Sequence, residues 1–419
     1  MQSKKSPGKQ LAVNNAAEES GRVPSKRHSK TACAAVCAYW VFSGIPFPWD
    51  FSFFLLAAIC AWCAIQSGGK RPNHRYFELI ALFVAAILLS ITASPDSTRS
   101  VQFCLVLLPS LMVFYLLSEE MDLEQIAWVS NCMVAVGLVL GGLLLWIAWR
   151  SVATSPAVWI NEANITFLHV PNDVAMLMIL SPFSLAAFVQ NPAGIMRVPG
   201  IISVAVNVAV AVIYQSRLSV ILLALALGIV WSFRVGRKKF LAGGLVFFTL
   251  LLTVDLLGGG SLLAKFASTW GSRLPLWIIS WCMFLKKPFF GNGPGSYLLG
   301  FHECLAGVTQ DDWLFSKEPN IAPWAHNLYL EVLAEHGLAG FFSLIIMLAY
   351  TIVCNYRVLS KLQGWIRPLN MSILASLIAF CVAAIFELSL WRQWVTLLLA
   401  TLMGLAACIQ TYVTMKGKL

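Results

Sequence analysis

Two arginines and a histidine are the residues of this chain whose types and spacing could do chemistry. Arg273 follows Ser272, which is placed to cap a short helix predicted over 273–287. A cation in the first turn opposes the helix dipole, which favours an acid there. Backbone N–H groups and a guanidinium aimed at one point would form an anion site that fits a phosphate or pyrophosphate. The alternative is that Arg273 contacts a lipid phosphate or an acid of the same loop.

The second arginine, Arg217, ends the link Tyr214-Gln215-Ser216-Arg217 between two apolar segments. This link is too short for more than a turn, so Arg217 must lie at or just below a membrane interface. Two interpretations stay open. Arg217 is either an interfacial arginine that extends towards the headgroups or a fixed cation that faces a cavity in the helix bundle.

His326 belongs to a helix that Pro323 is predicted to start and Gly337 to end. Helical spacing puts Tyr329, Gly337 and Gly340 on one stripe with His326, and glycines in such a stripe permit close helix approach. We therefore predict that His326 faces inward against the bundle. A histidine on an apolar face is more often a core residue than a functional one, so both roles stay open from spacing alone.

The remaining polar residues of this helix have expected positions as well. Asn327 adjoins His326, and the acids Glu331 and Glu335 fall on the far side of the helix, where we predict that they face water. No metal site is predicted, because the histidines and acids of this region have no ligand spacing such as His-x-x-x-His. No cofactor is expected.

A glycine-rich turn over 288–297, Pro-Phe-Phe-Gly-Asn-Gly-Pro-Gly-Ser-Tyr, separates the two helices. The turn lacks the Gly-x-x-x-x-Gly-Lys of a nucleotide P-loop, and no strand precedes it. Re-aiming the chain is a sufficient reason for it. Cys282 and Cys304 lie on the same side of the predicted membrane and could pair, but spacing alone does not decide this.

The composition is that of a membrane protein. Hydrophobic residues make up 59% of the 419 positions, charged residues 11%, and the mean hydropathy is +0.76, whereas a soluble domain has about 25% charged residues. Apolar stretches that could span a bilayer number about twelve: 31–46, 51–66, 76–93, 101–118, 125–149, 172–190, 198–214, 218–233, 239–257, 338–355, 368–388 and 391–412.

The predicted fold is an all-α integral membrane protein of about 12 transmembrane helices, with one large outer loop of short helices between the ninth and tenth. A basic, disordered cytoplasmic tail (1–30) precedes transmembrane helices 1–9 (31–257). The loop with the chemistry (258–337), helices 10–12 (338–412) and a second tail (413–419) follow.

The distribution of basic residues predicts the orientation. Most of the 29 Lys and Arg fall in segments on one side, which places both termini in the cytoplasm and the long loop outside. The net charge of +10 is thus mostly topological. It does not form the aromatic-interleaved basic face of a nucleic-acid-binding protein.

The pattern His326-Asn327, nine residues, then Gly337-Leu-Ala-Gly340 resembles the signature of bacterial O-antigen ligases. The same superfamily holds O-antigen polymerases and bacterial oligosaccharyltransferases that glycosylate proteins. Other family-like segments are Gln215-Ser216-Arg217, Gly271-Ser272-Arg273 with Trp277, and the turn over 288–297. The clear match covers 214–340.

The resemblance implies transfer of O-antigen polysaccharide from undecaprenyl pyrophosphate to lipid A–core oligosaccharide, in lipopolysaccharide biosynthesis at the periplasmic side of the bacterial inner membrane. The expected enzyme is a metal-independent, inverting glycosyltransferase. Its partners are the lipid-linked donor, the lipid A–core acceptor and membrane lipids. His326 would be the catalytic base, and Arg217 and Arg273 would bind the pyrophosphate. Four residues would support them: Asn327, Tyr329, Gly337 and Gly340.

Other functions stay open. Within the superfamily, polymerase and protein O-oligosaccharyltransferase remain, because the acceptor contacts cannot be read from the sequence. From a different class, a lipid or polysaccharide transporter is the alternative. A transporter is expected to place ionisable residues near the membrane midplane in broken helices, whereas here the centres of the apolar stretches hold almost none.

Overall fold

The computed structural model is built from α-helices. The residues it describes are 29–42, 51–66, 75–154, 164–165, 168–169, 174–190, 196–214, 217–235, 261–307 and 324–416. Within them the only strands form a two-residue antiparallel pair, β1 (Asn164–Ile165) and β2 (Leu168–His169). The all-helical fold class is thereby confirmed.

The helices of the first half largely follow the apolar stretches of the sequence. They are α1 (Ser29–Phe42), α2 (Phe51–Gln66), α3 (Arg75–Ile91), α4 (Ser97–Leu105), α5 (Leu107–Tyr115), α6 (Leu123–Thr154), α7 (Val174–Gln190), α8 (Arg197–Ile213) and α9 (Arg217–Val235). A π-helical turn, Leu116–Glu120, follows α5. The predicted fourth span, 101–118, covers the end of α4 and the whole of α5, two helices that meet at Val106.

The second half contains α10 (Ser261–Lys286), α11 (Tyr297–Gly307), α12 (Leu328–Val358), α13 (Ile366–Phe386) and α14 (Gln393–Lys416). α10 is longer than the short helix expected over 273–287. α12 continues past the expected boundary at Gly337, where its backbone leaves helical geometry at a kink. The predicted ninth span, 239–257, and nearly all of the predicted N-terminal tail lie outside the described residues.

Five helical segments are long and apolar enough to cross a membrane: Ser97–Glu120, Leu123–Arg150, Leu328–Lys361, Ile366–Phe386 and Gln393–Lys416. Shorter apolar helices accompany them: Phe53–Gln66, Val174–Ala187, Arg197–Ala211 and Leu218–Val230. These lengths and compositions are those of a multi-pass membrane protein. The number of twelve spans stays a prediction.

α7 forms the centre of one half of the bundle. It packs against α6, α8, α9 and α13, and every side chain from Val174 to Ser184 is buried. Pro182 inside α7 cannot donate the usual helical hydrogen bond to Met178. The Ser181 hydroxyl donates to that carbonyl instead, at 2.7 Å. A helix buried in lipid and protein has to satisfy its backbone in this internal way.

The other half positions the candidate site. α12 packs against α3, α10 and α13, and α10 packs against α11. The segment that joins α13 to α14, residues 387–392 (the α13–α14 connection), contacts α12 near its N-terminal end through several side chains. α10, the start of α12 and the α13–α14 connection therefore meet at one end of the bundle.

Candidate active site

Glu387, the first residue of the α13–α14 connection, joins two of the residues that the sequence singled out. Its side chain is fully buried. One carboxylate oxygen accepts a hydrogen bond from Arg273 Nη2 at 2.8 Å, and the other lies 3.1 Å from His326 Nδ1. Arg273 Nη1 donates in addition to the carbonyl of Phe386. Arg273 thus contacts an acid, as one alternative held, but from a distant connection rather than from its own loop.

The helix end that carries His326 differs from the prediction. α12 begins at Leu328, and Asn327 is its N-cap, with a side-chain oxygen that accepts from Leu330 N–H at 3.0 Å. Asparagine is among the preferred residues at this position. His326 precedes the cap with φ 50°, a conformation that a right-handed helix excludes. The expectation that Pro323 starts the helix and puts His326 on its face is therefore wrong.

The contact with Glu387 defines which nitrogen of His326 carries a proton. A carboxylate only accepts hydrogen bonds, so Nδ1 must be the donor. In a neutral imidazole with this tautomer, Nε2 keeps its lone pair and can accept a proton from another molecule. The imidazole is about one-fifth exposed and Arg273 similarly so (19% and 18% of their side chains). Both residues are therefore held from behind by a buried acid and reachable from outside.

Aromatic and cationic groups border the histidine. The rings of Trp324 and His326 lie 5.7 Å apart between centroids. The guanidinium of Arg392, at the end of the α13–α14 connection, lies over Trp324 at 4.7 Å from the ring centre. Such a distance is typical of a cation–π contact. The connection therefore contributes a cation to the site as well as an acid.

Glu331 and Glu335 do not face water. Their exposed fractions are 1% and 0%, so the predicted solvent-facing side of this helix is wrong. The Glu331 carboxylate accepts from Ser389 Oγ at 2.7 Å and from Leu390 N–H at 3.2 Å. Spacing along one helix cannot reveal that the α13–α14 connection covers this side.

Glu335 ties three segments together. Its carboxylate accepts from the backbone N–H groups of Gly295 and Tyr297, at 3.0 and 2.9 Å, and from Trp391 Nε1 at 2.6 Å. Burial raises the pKa of the Tyr297 phenol, whose hydroxyl donates to the carbonyl of Leu276 in α10 at 2.9 Å. The glycine-rich turn, α12 and the α13–α14 connection are thus held in one arrangement.

Gly337 interrupts the helix at the predicted position, with the non-helical angles φ 61° and ψ −161°, but a second helical segment follows directly across this kink. At the kink, the backbone of the helix forms hydrogen bonds with the backbone of the glycine-rich turn instead of with its own preceding turn. They run from Asn292 N–H to Ala334 O (3.1 Å), Gly293 N–H to Glu335 O (2.9 Å), Leu338 N–H to Pro288 O (2.8 Å) and Ala339 N–H to Phe289 O (3.2 Å). The turn therefore satisfies the groups that the kink frees.

The close approach of turn and helix explains a glycine at position 291. Its φ is 72°, and a Cβ there would lie 2.3 Å from the backbone carbonyl group of Glu335. Only a residue without a side chain fits both the conformation and the space. From the sequence, re-aiming the chain was a sufficient reason for the turn, whereas in the structure the turn also fastens α12 at the kink.

The remaining predicted residues have separate positions. The Tyr329 hydroxyl donates to Cys381 O in α13 at 3.0 Å. A Cβ at Gly340 would lie 2.2 Å from the side chain of His336, so this glycine makes room for a neighbour across the kink. Arg217 begins α9, but its side chain lies outside the described part of the structure.

Cys282 and Cys304, whose pairing the sequence left open, form a disulfide that connects α10 to α11. Their Cα atoms lie 6.2 Å apart, within the usual range for a disulfide. The other cysteines of the described residues are free. The one cross-link therefore fixes the two helices that flank the glycine-rich turn.

A protein-family model described as O-Antigen ligase matches residues 202–345, about a third of the chain. No curated protein matches the chain. The matched segment holds Arg217, Arg273, His326 and both predicted glycines of α12, whereas Glu387 lies beyond it. The match confirms the resemblance to the O-antigen ligase superfamily.

Proposed function

We propose that this protein is an O-antigen ligase that transfers O-antigen polysaccharide from undecaprenyl pyrophosphate to lipid A–core oligosaccharide. The family match supports the superfamily. The observation that carries the proposal is the buried Glu387, which holds Arg273 with one oxygen and His326 with the other. A cation for the leaving group and a base for the acceptor are the two groups that this reaction requires.

Pyrophosphate is already a good leaving group, so the protein mainly has to neutralise its charge as the glycosidic bond breaks. A guanidinium has five N–H donors. In the described part of the structure, Arg273 uses two of them, one to the Phe386 carbonyl and one to the Glu387 carboxylate. The remaining N–H groups are available to phosphate oxygens. Arg217 is proposed as a second pyrophosphate-binding residue on the resemblance alone.

The acceptor hydroxyl needs a base. In the proposed step His326 Nε2 takes the hydroxyl proton, the acceptor oxygen bonds to the anomeric carbon, and the bond from that carbon to the pyrophosphate oxygen breaks. A positioned base of this kind contributes about 10²–10⁴-fold. Because attack and departure occur on opposite faces of the sugar, the configuration inverts.

Two observations support a periplasmic site in the bacterial inner membrane. Disulfides persist mainly in oxidising compartments, and Cys282–Cys304 lies between Arg273 and His326 in the chain. The excess of Lys and Arg on the opposite side of the predicted topology gives the same orientation, with both termini in the cytoplasm. Polymerase and protein O-oligosaccharyltransferase are the alternatives, since they differ only in the acceptor.

The test uses the purified protein in nanodiscs with a glycan linked to undecaprenyl pyrophosphate. Three acceptors are offered in parallel: lipid A–core, more carrier-linked glycan, and an acceptor protein. We expect modified lipid A–core, seen by electrophoresis and mass spectrometry, and loss of it in His326→Ala at unchanged melting temperature.

Each other outcome has a defined meaning. Elongated carrier-linked glycan alone would indicate a polymerase, and a modified protein alone would indicate an oligosaccharyltransferase. Movement of carrier lipid across vesicle membranes without any glycan transfer would overturn the proposal in favour of a transporter. A His326→Ala variant with a normal transfer rate would remove the histidine from the mechanism.

A further inference from the structure

α10 and the start of the glycine-rich turn expose a continuous set of large apolar side chains. Trp281, Leu285, Phe289 and Phe290, together called the α10 apolar face, are 50, 62, 68 and 47% exposed. Trp281 and Leu285 are spaced by four residues, which aligns them along one side of α10. Phe289 and Phe290 follow the end of the helix at Lys286. The opposite side of α10 is buried, for example at Ile279 and Met283. Large exposed apolar surfaces of this kind mark interaction sites.

The α10 apolar face continues a surface that faces lipid. α12 is apolar and long enough to span the membrane, and it exposes Phe342, Ile346 and Val353. Helical spacing puts these three residues on one side of α12. The backbone carbonyl of Phe289 accepts from Ala339 N–H at 3.2 Å, one turn before Phe342. The exposed apolar side of the spanning helix thus runs on to Phe289 and from there to α10.

The polar residues beside this face suit a membrane interface. Lys286 and Lys287 adjoin it and are exposed. Lys286 Nζ lies 3.3 Å from Glu303, and Lys287 Nζ donates to the carbonyl of Ala93, so both cations are held beside the face, at a position typical of headgroup level. Tryptophan and other aromatic residues are enriched at the same level of a bilayer. A helix with one buried side, an exposed aromatic side and lysines at its edge is typical of an element that lies in the interface plane.

We propose that the α10 apolar face inserts into the headgroup–acyl boundary of the leaflet at the active-site end, with bilayer lipids as its partner. This region was expected to stand in a loop outside the membrane, so its docking on lipid is a further property. α10 also carries Arg273, two turns before Trp281, or about 12 Å along the axis. The depth at which α10 lies in the membrane therefore sets the position of the Arg273 guanidinium relative to the lipid phosphates. The importance of this position for donor binding rests on the proposed function.

The docking itself can be measured without any activity. The full-length protein is placed in nanodiscs whose lipids carry bromine either near the headgroup end or near the methyl end of the acyl chains. Subtracting the fluorescence of Trp281→Phe from that of the wild type isolates the emission of Trp281. We expect shallow bromine to quench this difference emission about twofold more than deep bromine, as a side chain at the boundary requires.

Trp277→Phe is the matched control, because Trp277 lies one turn earlier on α10 and packs into a buried cluster. Its difference emission should be insensitive to both lipids. If neither bromolipid quenches Trp281, the proposal is overturned. A doubled particle mass in light scattering would then assign the surface to a second copy of the chain, and an unchanged mass would leave it in water.

A double variant gives an independent readout. Leu285→Ser with Phe289→Ser removes the largest apolar contributions while leaving the buried side of α10 intact. Its Trp281 difference emission should shift to longer wavelength and lose about half of its shallow quenching. Unchanged quenching would show that these two residues do not hold α10 at the membrane. Glycan transfer by the same variant reports on the proposed function separately, through a raised KM for the lipid donor at unchanged kcat.

Discussion

Replacing Glu387 with glutamine separates the charge of this residue from its shape. The amide keeps nearly the same volume in a fully buried position, but two contacts change, with Arg273 at 2.8 Å and with His326 at 3.1 Å. Hydrogen bonds to charged groups are worth about 1.5–3 kcal/mol and neutral ones about 0.5–1.5 kcal/mol. The His326 contact therefore loses about 1–1.5 kcal/mol. The Arg273 contact keeps its charged donor but loses its ion pair with the carboxylate, which we take as a loss of about the same size.

A combined loss of about 2–3 kcal/mol corresponds to a transfer rate lowered roughly 30–150-fold. The amide also offers an NH₂ group to Nδ1. If that group donates, Nδ1 becomes the acceptor and Nε2 carries the proton, so His326 can no longer act as a base. We therefore expect the decrease mainly in kcat, with the melting temperature lowered by the weakened contact to Arg273.

The assay is glycan transfer in nanodiscs, with rates expressed per folded protein so that lost stability is not counted as lost chemistry. Glu303→Gln is the matched control, because it removes a carboxylate of the neighbouring helix α11 whose side chain is 67% exposed and lies 3.3 Å from Lys286. The control should transfer at the wild-type rate. A Glu387→Gln protein that does the same would refute the orienting role of the acid.

Three further outcomes are expected. Arg273→Lys should lower transfer at least tenfold, about 1.4 kcal/mol, because one amine cannot make the contacts of the planar fork with both Phe386 and Glu387; a normal rate would mean that any cation suffices. Transfer should survive EDTA, and its loss with recovery on adding a divalent cation would contradict a metal-independent reaction. Gly291→Ala should lower the melting temperature more than Gly364→Ala, because both have positive φ but only the former places a Cβ against backbone; equal shifts would show that contact with α12 costs nothing.

The helices were predictable because the membrane imposes a local signal. A spanning segment needs about 20 apolar residues in succession, and that pattern is read without knowing any neighbour. The predicted span 51–66 coincides with α2, and the predictions for α7 and α8 agree with the helix bounds to within two residues. The interruption at Gly337 was predicted, but its form as a kink was not, because the kink depends on the turn over 288–297, which supplies its hydrogen bonds from a different part of the chain.

For the candidate site, residue types, spacing and the resemblance together pointed to Arg273 and His326, whose roles stay predictions. Neither spacing nor the family segment includes Glu387, which lies 61 residues after His326. A signal for this acid exists in the sequence: Glu387 and Arg392 are the charged residues between two apolar stretches at the predicted outer side. The predicted spans 368–388 and 391–412 include Glu387 at the end of one and Arg392 at the start of the next, although a charge at such a point is a candidate for a functional site.

The misplaced acids of α12 have a common physical cause. Glu331 and Glu335 were expected in water because helical spacing puts them on the side of the helix away from His326. At this end of the bundle, however, irregular backbone is itself buried, in the turn over 288–297 and in the α13–α14 connection. Its N–H groups cannot be left without acceptors where water is excluded. The two carboxylates supply acceptors to backbone N–H groups of both segments. An acid in an apolar helix beside a glycine-rich turn is therefore better predicted to point inward, towards that turn, than outward to solvent.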